Sequence, residues 1–208
     1  MTTLSRNLLW LYLPALAVLM ATVALSLYLD QPFSHFSRDP LAVTRGYHLY
    51  GLLSNLGAIL WAFATAVALL AYSVLRESDA SEARFFLTGG LLSGLLLLDD
   101  LFMLHEKLYP ALGMGEKRML VVYGLLGLGY LYFNRGRIRQ SEYGLLVAAM
   151  ALFALSIGVD RLPKTWLSWH HLWEDGAKFI GICSWFGYQL QCARQALLAR
   201  SGGRSTRA

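Results

Sequence analysis

The chain has 208 residues, of which 56% are hydrophobic and 15% charged, with a formal net charge of +5 and a mean hydropathy of +0.46. Soluble domains carry about 25% charged residues, so this composition excludes an ordinary soluble enzyme and a disordered chain. The basic residues flank apolar runs, which points to anionic membrane lipid as the expected partner and argues against nucleic acid.

Six apolar segments follow in chain order: 8–29, 48–75, 85–106, 119–134, 142–159 and 166–197. A hydrocarbon core about 30 Å thick needs roughly 20 helical residues, and no segment has the alternation of a barrel strand. The expected fold is all-α: one polytopic bundle of six transmembrane helices over residues 1–200, with 201–208 as a disordered Gly/Ser-rich cytoplasmic tail. The first segment is too long for a signal-peptide h-region and lacks a small-residue cleavage site, so it reads as a retained span. Between the segments lie polar and breaking residues such as Asp30-Gln31-Pro32, Tyr109-Pro110, Asn134-Arg135-Gly136-Arg137 and Arg161-Leu162-Pro163-Lys164.

Six spans put both termini on one side. That side receives ten basic residues, among them Arg76, Arg84, Arg135, Arg137 and Arg139, against seven on the other. The positive-inside rule then makes the protein N-in and C-in. In this topology all five histidines (His35, His48, His105, His170 and His171) fall toward the outer side. Ionisable residues inside membrane segments are costly and point to function.

Span three ends in Asp99-Asp100-Leu101-Phe102-Met103-Leu104-His105-Glu106. Asp99 and Glu106 are seven residues apart and share a helix face, with Asp100 turned about 100° away. Two adjacent carboxylates in apolar surroundings do not both ionise cheaply unless a cation neutralises them. Span six opens with His170-His171-Leu172-Trp173-Glu174-Asp175-Gly176-Ala177-Lys178. Here His171, Glu174, Asp175 and Lys178 form a stripe at spacings of three and four, with His170 at its edge. Lys178 lies about three turns into the span, so it needs an anion, which Glu174, Asp99 or Asp100 could supply. Trp166, Trp169 and Trp173 fit an interfacial aromatic belt. On span two, His48 and Asn55 make a third polar line, which could equally be helix-to-helix hydrogen bonding.

Histidines and carboxylates at these spacings on two helices can supply three metal ligands and leave a fourth position to water. The expected ligands are His105, His171, Asp175 and Asp99 or Asp100, and zinc is the divalent ion that suits them best. Glu174 would act as general base, oriented by Lys178, with Asp100 beside them. Such a site would hydrolyse a lipid or lipid-linked ester or amide. A second class of function uses Asp99, Asp100, Glu174 and Lys178 as a proton- or ion-responsive relay in a transporter or sensor. A third makes them structural pairs in an assembly subunit. Cys183 and Cys192, nine residues apart on one helix, stand about 13 Å apart along its axis and cannot pair with each other.

The strings Leu98 to Glu106, with Pro110, Gly113 and Glu116, and Glu174 to Gly181 resemble motifs of small bacterial multi-pass membrane proteins of unassigned function. That resemblance implies a bacterial inner-membrane location. The chain is more distantly similar to ceramidase-like membrane hydrolases, which hold zinc between helices, although it has six expected spans instead of seven and no H-x-x-x-H in the last. Lys178 beside acids in the last span is also similar to the retinal lysine of microbial rhodopsins, without a matching aromatic box.

Overall fold

The computed structural model describes residues 20–21, 23–31, 51–167 and 170–205, without the side chains of residues 106, 116 and 201–205. The chain divides into two units, residues 1–50 and 51–208. In the first, residues 20–21 and 23–28 are helical, and the helix ends where Asp30 turns to φ 50° and Ser26 Oγ donates to the Gln31 carbonyl at 2.7 Å. The remainder of the first expected span, and His35 and His48, lie outside the described residues.

The second unit is built of helices α1 (Leu52–Leu75), α2 (Ala80–Phe102), α3 (Tyr109–Ala111), α4 (Glu116–Phe133), α5 (Arg135–Arg139), α6 (Gly144–Asp160) and α7 (His170–Ser205), with a π-helical turn at Leu104–Leu108. Among the described residues there is no strand, so the fold is all-α. Helices α1 and α2 are long and apolar enough to cross a membrane, while α6 is apolar but has 17 residues.

Packing follows from small residues. Along α1, Gly57, Ala58, Trp61, Ala64, Ala68, Ala71 and Leu75 form the buried stripe, the three-and-four spacing of one helix face. Alanine and glycine let backbones come close. A Cβ on Gly90 of α2 would meet Leu69 Cδ2 at 2.9 Å, and one on Gly57 would meet Ile182 of α7 at 3.2 Å. Helix α1 therefore packs on both α2 and α7, and α7 packs on α6.

The core between them is aromatic. Trp61 stacks on Phe153 with centroids 5.9 Å apart, Tyr130 meets Trp185 edge-on at 5.3 Å, and Phe85, Phe86 and Tyr188 are fully buried. Two of its buried polar contacts run between helices. Trp185 Nε1 donates to Ser93 Oγ at 2.8 Å, and Gln189 Nε2 donates to the Tyr130 hydroxyl at 3.3 Å.

Several boundaries differ from the sequence expectation. Helix α2 begins at Ala80, five residues early, because Asp79 Oδ1 accepts the backbone N–H groups of Ser81 and Glu82 at 3.0 and 2.9 Å. That is an N-cap, with Glu82 at the third helical position as in a capping box. Glu82 in turn meets Arg137 Nε of α5 at 2.5 Å. At the other end of the chain, α7 continues through Gly202 and Gly203 to Ser205, where a coil from 201 onward was expected.

Candidate functional site

Three ends meet at one pole of the second unit: the start of α1, the end of α2 and the start of α7. Helix α2 stops because Met103 adopts the left-handed conformation, φ 49° and ψ 45°, and its N–H still reaches back to the Asp99 carbonyl. A β-carbon makes this conformation unfavourable, and such outliers tend to mark functional sites. The π-helical turn that follows, itself a feature common at functional sites, folds His105 back onto the end of α2.

Asp99 is the buried centre of this turn. Its Oδ1 accepts the His105 backbone N–H at 3.0 Å and the Tyr123 hydroxyl of α4 at 2.7 Å, while Oδ2 lies 2.5 Å from His105 Nδ1. The carboxylate thus fixes the imidazole by its ring and its backbone together. Asp100, one residue on, looks the other way. Its Oδ1 lies 2.5 Å from Lys178 Nζ of α7, and Oδ2 accepts Trp61 Nε1 of α1 at 3.2 Å. The adjacent acids diverge because consecutive helical residues are about 100° apart, so each obtains its own partners instead of competing for one proton.

A cavity of about 470 Å³ opens beside these groups, and Asp100, His105, Asp175 and Lys178 line it together with Ser54 and Gly57. Asp99 stands behind His105, in contact with its ring. Trp61, whose indole reaches Asp100, belongs to the aromatic core with Trp185, Phe85 and Phe86.

Of the expected metal ligands, Asp100, His105 and Asp175 line the cavity and Asp99 holds His105, while His171 stands with Glu174. The oxygens of Asp99 and Asp100 are taken by protein donors, and His171 and Asp175 are exposed. Glu174 is not oriented by Lys178 as expected. Lys178 goes to Asp100, and Glu174 Oε2 lies 3.4 Å from Nδ1 of both His170 and His171. These three residues offer ligand atoms within 4.8 Å of one another, a cluster that could hold a metal ion. Asn55 is exposed in the first turn of α1, and the Glu106 side chain is outside those described.

Sequence reasoning missed Trp61 and Tyr123. Both carry a polar atom on an apolar body and, when buried, need a hydrogen-bond partner. Their positions inside apolar segments were the available signal, obscured by the many aromatics around them.

The family described as Domain of unknown function (DUF8692) matches residues 11–192. The chain belongs to this family. The match takes in both motifs of the site, from Asp99 to Glu106 and from His170 to Lys178. No curated protein and no solved structure matches the chain.

Proposed function

We propose that this DUF8692 protein is a six-span, N-in and C-in integral membrane hydrolase of the bacterial inner membrane, with its site in the outer half of the bilayer. Two helices of sufficient length support a membrane location, and the number and direction of the spans rest on the apolar segments and the basic loop at Arg135–Arg139. The reading of the site rests on one observation: a buried carboxylate holds His105 by Nδ1 beside a cavity that Lys178 also lines.

A carboxylate on Nδ1 fixes the tautomer and stabilises the imidazolium that forms when the other nitrogen takes a proton. In the proposed reaction His105 Nε2 accepts a proton from water, and the water oxygen bonds to an ester or amide carbonyl carbon. The Lys178 ammonium, steadied by Asp100, offsets the charge that grows on the carbonyl oxygen. The bond from carbon to the leaving oxygen or nitrogen then breaks, and the leaving group receives the proton from His105. A site at that depth would meet lipid or lipid-linked molecules, which are the substrate class available in the outer leaflet.

The test is hydrolysis of a panel of ester- and amide-linked lipids by the purified full chain in lipid nanodiscs. Removal of a general base costs about 10²–10⁴-fold in rate, so His105→Gln should lose turnover by that factor while the helical circular dichroism is kept. Equal turnover by His105→Gln and wild type would overturn the assignment, as would no hydrolysis by wild type of any ester or amide lipid.

A second reading, a charge-coupled sensor or transporter, is favoured by the pairing of every Asp99 and Asp100 oxygen within the protein. Under that reading a ligand acts by displacing Lys178 from Asp100, and the neighbouring Trp61 indole would report it by fluorescence without any covalent change in the ligand.

A further inference from the structure

His170 is buried, 6% exposed, at the first turn of α7. Its Nε2 lies 2.9 Å from the carbonyl oxygen of Val159 at the end of α6. A carbonyl can only accept, so Nε2 donates to it, and Nδ1 is the ring atom left for another partner. Among the described residues that Nδ1 has no hydrogen-bond partner. Glu174 Oε2, a carboxylate oxygen, lies 3.4 Å from it. A buried polar atom without a partner is unfavourable, and a cation shared with the carboxylate would satisfy both.

We propose that His170, His171 and Glu174 form a binding site for a divalent transition-metal ion, with zinc the best fit. Two donors each about 2.1 Å from a tetrahedral ion stand about 3.4 Å apart. Glu174 Oε2 lies 3.4 Å from His170 Nδ1 and 3.4 Å from His171 Nδ1, so two edges of the tetrahedron are already set. Two imidazoles and one carboxylate favour zinc-like ions over magnesium or calcium, which take oxygen ligands. The bond from His170 Nε2 to a backbone carbonyl is the support that metal-bound histidines carry on their second nitrogen. His171 is two-thirds exposed at its side chain, 67%, so the ion has a path from outside. Three protein ligands leave a fourth position for water or a ligand.

The cluster does not include the Asp99–His105 or Asp100–Lys178 pairs, so this inference stands apart from the hydrolase reading. The full chain, purified in detergent, stripped with a chelator and dialysed, is titrated with zinc, and separately with cobalt, whose visible spectrum reports tetrahedral nitrogen and oxygen ligation. Wild type should take up one equivalent and show the tetrahedral spectrum. Loss of an outer-shell partner alone weakens metal sites about 10–100-fold. His171→Ala and Glu174→Gln, which remove ligands themselves, should therefore weaken binding more than about 10-fold, while His105→Gln binds as wild type does. Failure of wild type to bind zinc would overturn the site. So would undiminished binding by both His171→Ala and Glu174→Gln, or loss of binding in His105→Gln.

Discussion

Lys178→Met isolates the ion pair that joins α2 to α7. The lysine side chain is 42% exposed and that of Asp100 is 10% exposed, so the two partners respond differently to losing each other. Without Lys178, Asp100 keeps Trp61 Nε1 and is otherwise a nearly buried carboxylate. Breaking a fully buried pair costs about 3–5 kcal/mol, whereas exposed pairs are worth about 0–1 kcal/mol. A pair with one partner buried and the other half exposed falls between, at about 1–3 kcal/mol for Lys178→Met. Asp100→Asn leaves Lys178 unpaired, but the long lysine stem can turn its ammonium along the cavity it lines toward the polar outer end. The amide oxygen introduced by Asp100→Asn would still accept from Trp61, so that change should cost about 0.5–1 kcal/mol. The double variant should be less destabilised than the sum of the two, because joint neutralisation leaves no orphaned charge. A chain of this length shifts about 2–4 °C in melting temperature per kcal/mol. Thermal unfolding followed by circular dichroism should therefore drop about 2–12 °C for Lys178→Met and less for Asp100→Asn. An Asp100→Asn variant that melts as low as Lys178→Met, or strictly additive losses in the double variant, would refute this account of the pair.

Tyr123→Phe removes one donor from Asp99 and, with it, the bond between α4 and the end of α2. Hydrogen bonds to charged groups are worth about 1.5–3 kcal/mol, so the melting point should fall and amide exchange in α4 should quicken, and unchanged exchange there would count against the tie. Gly181→Ala would place a Cβ 2.8 Å from two ring carbons of Phe153, whose ring is held by stacking on Trp61. Overpacking of this kind costs about 1–3 kcal/mol. The same substitution at Gly127, which has open space around it, should be neutral or stabilising, and equal melting points for the two variants would show that the α6–α7 contact is looser than described.

The helices were largely visible in the sequence because apolar length and charged interruptions are one-dimensional signals. Lys178 was legible for the same reason: an ammonium three turns into an apolar helix demands an anion, and Asp100 is one of the three acids that could meet it. What the sequence did not reveal was direction. Whether Asp99 or Asp100 faces Lys178 depends on the rotation of α2 about its own axis, which apolar periodicity defines poorly in a helix hydrophobic almost all round. The fold-back of His105 onto Asp99 depends on a left-handed methionine at position 103, and methionine gives no such warning where glycine would. The favourable order of Glu174 and Lys178 suggested a pair along α7, but a bond between helices took the lysine and left Glu174 to the histidines. The start of α2 is encoded by Asp79 and Glu82, a cap that lies outside the apolar run and so gives no hydrophobic signal.

Asp99 and Asp100 share a peptide bond, yet one grips Tyr123 on α4 and the other grips Trp61 on α1 and Lys178 on α7. They are spokes on a single axle. A twist of the last turn of α2 that slackens one hold must swing the other as well. The four helices are therefore geared together through two neighbouring side chains, and a change at either acid has to be measured at both.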